Sequence, residues 1–101
     1  MVLIYNVLNV TSTATATTSV DTIFINAVDP TVNVNLPAVT SDGQTYLIKR
    51  IDQTGNSVYI LPNGSDTIGG SSTQAISNGQ IIQLVSTINN SNWEYTSNIS
   101  L

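Results

Sequence analysis

Cysteine and histidine are both missing from the 101 residues. Without cysteine there is no disulfide framework, no thiolate metal site and no cysteine nucleophile. Without histidine the chain lacks the commonest general base and the commonest metal ligand. Charge is scarce too. Only 8% of residues carry one, and Lys49 and Arg50 are the two bases against six acids, for a net charge of −4. Neutralising a phosphate backbone takes several basic contacts, so this balance argues against nucleic acid as a partner. The same shortage argues against docking on anionic membranes. Long apolar runs are absent as well. Asn6 and Asn9 break the opening stretch far short of the roughly 20 residues that span a bilayer. That stretch also lacks the positive n-region of a secretory signal, since the first base is Lys49. The chain reads as having no signal peptide and no transmembrane segment.

What remains is a neutral, polar and aliphatic chain. Thr, Ser, Asn and Gln make up 43 of the 101 residues, and hydrophobic residues 41%. A length near 100 fits one domain, residues 1–101. Val, Ile and Thr dominate its runs, and branching at Cβ suits a pleated strand better than a helix. Alternation is clear in Thr31-Val32-Asn33-Val34-Asn35-Leu36, which puts Val32, Val34 and Leu36 on one face. It recurs over 46–51 and 57–61. Turn signals separate the runs at Asp29-Pro30, Ser41-Asp42-Gly43, 53–56, 62–66, 69–72 and 77–79. Asn-Gly at 63–64 and 78–79 suits tight hairpins. Strands are expected at about 2–8, 12–18, 21–28, 31–36, 45–51, 57–61, 73–77, 80–87 and 92–97. The expected class is all-β, with short antiparallel strands in a sandwich, prism or small barrel.

No residue pattern singles out a catalytic centre. Asp21, Asp29, Asp42, Asp52, Asp66 and Glu94 fall mostly in turns, and no spacing selects a pair for glycoside hydrolysis. The chain is read as no enzyme, with no catalytic residues, no metal site and no cofactor. Asp66, in Gly64-Ser65-Asp66-Thr67, matches no calcium or phosphate loop and is expected to bond its own turn backbone. Lys49 and Arg50 are adjacent on a strand and point to opposite faces, and one of them is expected to pair with Asp52 or with an acid of another subunit. Trp93 reads first as a core or interface anchor whose N–H meets one acceptor. The Thr11–Thr17 run reads as an edge strand or a connection that swaps to a neighbour. Four Asn-x-Ser/Thr sequons begin at Asn9, Asn63, Asn89 and Asn98, a number that the composition yields by chance.

Several runs are apolar on both faces: 2–5, Ile23-Phe24-Ile25 and Ile81-Ile82-Gln83-Leu84-Val85. A domain this small, without disulfides, would leave one such face as an exposed patch. Self-association is the expected remedy.

From about residue 13 to 95 the chain resembles a small β domain found at the ends of phage tail fibres and in collagen-like or fibre proteins of large viruses. The motifs, in order, are 20–23 (VDTI), 34–38 (VNLPA), 43–49 (GQTYLIK), 58–68 (VYILPNGSDTI), 81–86 (IIQLVS) and 92–93 (NW). Gly69-Gly70 stands where such domains carry Asp-Gly, and residues 1–12 lie outside the match as an added N-terminal strand. The resemblance implies an intertwined, β-prism-like homotrimer on the virion or viral fibre, without catalytic residues or cofactor. The expected function is trimerisation and capping of a fibre or virion-surface protein. Ile23, Ile25, Val34, Leu36, Ile48, Ile60, Leu84 and Trp93 are expected to supply most of the buried contacts of the trimer interface and core. An alternative reading makes the domain a tip that recognises host-surface glycans through Trp93, Tyr95, Asp66 and Asn63.

Overall fold

The computed structural model describes residues 4–100. Ten strands are present: β1 (Val7–Val10), β2 (Ala14–Thr15), β3 (Thr22–Ile25), β4 (Thr31–Asn35), β5 (Thr45–Arg50), β6 (Ser57–Leu61), β7 (Thr67–Ile68), β8 (Gln74–Ala75), β9 (Ile81–Thr87) and β10 (Asn92–Ile99). A single 3-10 turn, Ile88–Asn90, lies between the last two. The strands form a six-stranded sheet, ordered β1-β3-β5-β9-β10-β7, and a four-stranded sheet, ordered β2-β4-β6-β8. The all-β class is therefore observed. The expected strand at 2–8 begins at Val7 instead, and its first two residues, with the rest of 1–3, lie outside the described residues.

The pairing differs from the antiparallel expectation. Five of the eight strand pairs are parallel and three antiparallel. The reason is topological. From β1 to β9 each strand lies in the sheet opposite its predecessor. A chain that crosses to the facing sheet at every turn comes back beside its earlier strand running the same way. Thus β1, β3 and β5 stack in parallel, as do β2, β4 and β6. Strands β8 and β9 then run antiparallel to β6 and β5.

Both Asn-Gly pairs consequently turn corners between sheets rather than closing hairpins. The one hairpin between successive ladder strands, β9–β10, closes through Ile88–Asn90, with Ser91 left-handed at φ 47°. A tighter reversal sits at Gly69-Gly70, the departure from the fibre-domain motif. Ile68 and Ser71 exchange both backbone hydrogen bonds, at 2.8 and 2.9 Å, and both glycines have positive φ. Those angles suit a two-residue hairpin turn and favour glycine. A Cβ on Gly69 would also collide with the Tyr95 ring.

The interior lies between the sheets and follows the strand register. Leu8, Ile23, Ile48 and Ile82 align across four strands of the larger sheet. Val32 faces Val58 and Val34 faces Ile60 in the smaller one. Side chains side by side in a ladder share a face, so each row becomes one layer of the core. Tyr46 and Trp93 close one end, their ring centroids 5.2 Å apart and tilted by 49°.

Candidate functional site

All eight residues expected at the trimer contacts lie inside the single subunit. Ile23, Ile25, Val34, Leu36, Ile48, Ile60, Leu84 and Trp93 are 0–1% exposed. Side chains so enclosed belong to the core of the subunit. Val34, Leu36 and Ile60 come from or just beyond the smaller sheet and the rest from the larger, which is how they enclose one core.

The four glycan candidates fare differently from one another. Trp93 is buried against Tyr46, so its ring offers no stacking surface. Its indole N–H has no acceptor among the described residues, in contrast to the partner expected for it. Tyr95, two residues along the same strand, is half-buried and donates its hydroxyl hydrogen to Gln74 Oε1. The Asp66 side chain does not bond its own turn backbone. Its carboxylate accepts the Val39 N–H at 2.9 Å, while its own N–H donates to the Asn63 carbonyl. Asn63 is exposed on that turn. The four positions gather near the β7–β10 border, but their aromatic rings face inward.

One charged pair is buried. Arg50 and Asp52 meet at 3.0 Å with side chains only 3% and 2% exposed. Arg50 ends β5 on its inward face, in the row begun by Val10 and Ile25. Its Nη1 donates to the Ile76 carbonyl at 2.8 Å and its Nη2 to the Asn56 carbonyl at 2.7 Å. Asp52 accepts from Arg50, the Ala27 N–H and Thr54. Burial pushes the Asp52 carboxyl upward, but those hydrogen bonds outweigh it and hold the group well below the usual carboxylate range. With the partners all internal, the pair ties β5 to the loops that flank the smaller sheet. Such a clasp orients structure rather than substrate.

Burial acts alone on two tyrosines. It pushes the Tyr46 hydroxyl up to about 12 and raises that of Tyr95. Tyr46 donates to the Thr17 carbonyl at 2.6 Å, pinning the Thr-rich connection over the core. The Thr run itself holds β2, an edge strand. Among the described residues no group of three or more His, Cys, Asp or Glu side chains is placed to hold a metal. No helix there is long and apolar enough to cross a membrane.

The feature that stands apart is the outer face of the six-stranded sheet. Register places Val7 beside Thr22, Leu47 and Gln83, and Asn9 beside Phe24, Lys49, Ile81 and Ile99. Val85 lies between Thr45 and Glu94. Val7, Phe24, Leu47, Ile81, Val85 and Ile99 thus share the outward side, all of them half-buried or exposed. Ile51 continues the line beyond β5 and is 50% exposed. At strand spacings of about 4.8 Å and rises of about 3.3 Å per residue, the six strands cover several hundred square ångströms. The outer face of the four-stranded sheet is different. Thr15, Thr31, Asn33, Asn35 and Ser57 face out there, with Tyr59 and Leu61 half-buried among them. The individual face residues were not picked out from the sequence, yet the signal was there: Phe24, Ile81 and Val85 sit in the runs that read as apolar on both sides.

No protein-family model matches this chain, and comparison with curated proteins finds no match. Function therefore has to be argued from these faces and from the motif resemblance.

Proposed function

We propose that this chain is a non-enzymatic structural module that assembles with copies of itself, as a trimerising and capping domain of a fibre or virion-surface protein. In this reading three subunits form a β-prism-like assembly, with the six-stranded sheets turned toward a common axis. One observation carries it: the outward face of that sheet presents Val7, Phe24, Leu47, Ile81, Val85 and Ile99 among its polar residues, while the outer face of the four-stranded sheet is mostly amide and hydroxyl. Apolar side chains gathered on one sheet face and interleaved with polar ones mark interaction surfaces. The occupant is argued by charge. Lys49 lies on this face with no carboxylate within salt-bridge distance among the described residues, and Glu94 lies on it too. A second copy supplies both an apolar surface and a carboxylate for Lys49. The fibre-domain motifs supply the threefold number.

Light scattering and native mass spectrometry test the reading. The expected mass is three times the 10.7 kDa chain. Leu47→Glu should return the 10.7 kDa species with its circular dichroism unchanged. A wild-type monomer at micromolar concentration would overturn the proposal.

A further inference from the structure

A cleft of about 440 Å³ opens where β6 and β8 part, on the side of the molecule away from the apolar face. The two strands are still paired at Tyr59 and Ala75, and the Ile76 N–H donates to the Val58 carbonyl at 3.0 Å. Beyond that bond they separate, leaving Asn56 and Ser57 on one wall and Ser77 and Asn78 on the other. Arg50 forms the floor. Its guanidinium holds the Ile76 carbonyl of one wall and the Asn56 carbonyl of the other, so the walls cannot close or drift apart without breaking a charged hydrogen bond. Gly55 and Ala75, both exposed, leave the mouth unobstructed.

The lining has a particular chemistry. Asp52 already neutralises Arg50, so the floor does not call for an anion. No other charged side chain lines the cleft. The Asn78 side-chain oxygen is buried and has no hydrogen-bond partner among the described residues, an arrangement that folding alone disfavours. Ser57, Ser77 and Tyr59 add three hydroxyls, each able to donate and to accept. Tyr59 also brings an aromatic ring to the rim, half-exposed. A matching ligand carries no charge, offers hydroxyls that both give and take hydrogen bonds, and has a flat C–H face for the ring. That is the chemistry of a neutral sugar.

We propose that this cleft binds a short uncharged oligosaccharide, with Tyr59 as its stacking surface and Ser57, Ser77 and Asn78 as its hydrogen-bonding partners. The site uses none of the residues of the apolar sheet face and does not depend on self-association. It also differs from the Trp93 region, whose ring is enclosed.

The test is a titration of the full chain with lactose, maltotriose and triacetylchitotriose, followed by backbone amide shifts, with sialyllactose as the anionic comparator. At least one neutral sugar should give saturable shifts, at concentrations on the order of 1 mM, confined to residues 55–59 and 75–78. Tyr59→Ala should weaken that binding by about tenfold, as expected for loss of one aromatic contact. Tyr59→Phe should retain most of it, and Asn78→Ala should weaken it with the dichroism spectrum unchanged. The proposal fails if no neutral sugar saturates by about 10 mM, if the shifts fall elsewhere, or if Tyr59→Ala binds as well as wild type. Tighter binding of sialyllactose than of lactose would also overturn it.

Discussion

The two sheets have nearly identical inner faces and opposite outer ones. Inward, both present Ile, Val and Leu in aligned rows. Outward, the six-stranded sheet offers Phe24, Leu47, Ile81 and Val85, whereas the four-stranded sheet offers Thr31, Asn33, Asn35 and Ser57. A sheet needs only one apolar face to fold. The apolar residues on the outer side of the six-stranded sheet are therefore not needed to close the core, and the proposed self-assembly gives them a role. The polar sheet shows what the same coil looks like when nothing outside is required.

The contrast exists only while the sheets are held together, and the strongest way to erase it is to break the buried ion pair. Asp52→Ala leaves Arg50 charged and enclosed, and should cost about 3–5 kcal/mol in urea unfolding. The pH profile gives an independent measure. The Asp52 pKa is depressed in the folded state, so its contribution is fully present above the ordinary carboxylate range and is lost as pH falls below it. Wild type should lose stability through that acid range, and Asp52→Asn should lose less of it.

Gly69→Ala tests the border of the larger sheet. A left-handed φ of 55° and the Tyr95 ring both oppose a side chain there, so a loss of about 1–3 kcal/mol is expected in thermal or urea unfolding. A neutral result would mean that this corner rearranges freely. At alkaline pH the interior reports through Tyr46. Its folded pKa is raised to about 12, so the folded state resists ionisation. The unfolded chain ionises nearer 10. Stability should fall as pH climbs through that window, and Tyr46→Phe should flatten the decline.

The smallest effects on stability separate the two faces most cleanly. Phe24→Glu and Asn35→Glu each add a carboxylate to a sheet exterior. Phe24→Glu should abolish the oligomer in native mass spectrometry. Asn35→Glu should leave the mass unchanged and shift stability by no more than about 0.5 kcal/mol. If both variants dissociate, or neither does, the distinction between the faces does not govern assembly.

Much of the local structure was legible in the residues. The alternation in 31–36 set Val32, Val34 and Leu36 on one face, which is the buried one, and the same period in 46–51 and 57–61 buries Tyr46, Ile48, Val58 and Ile60. Adjacent Lys49 and Arg50 were read to opposite faces, and Arg50 pairs with Asp52. The short strand β7 went unread because two residues, Thr67 and Ile68, are too few to show a period. The pairing partners were misread for another reason. Asn78-Gly79 and Asn63-Gly64 promised hairpins, but a turn's dihedral angles do not say whether the next strand joins the same sheet or the one facing it. Trp93 read first as a core or interface anchor and is buried; sugar stacking stayed open as the alternative because its two neighbours, Asn92 and Glu94, are polar in either setting.

What the amino acids determined by themselves was strand identity, inward and outward alternation, and a surface of hydroxyls and amides, since these follow from side-chain shape and a period of two. Only the tertiary structure decided that the chain coils between two sheets. The same folding enclosed the eight anchoring residues within one subunit, left Phe24, Leu47, Ile81 and Val85 together outside, and placed Arg50 beneath a cleft lined by serine, tyrosine and asparagine side chains. Those outcomes depend on which strands lie side by side, and apart from the β9–β10 hairpin the paired residues are far apart in sequence, so the pairings leave no mark in the local pattern of residues.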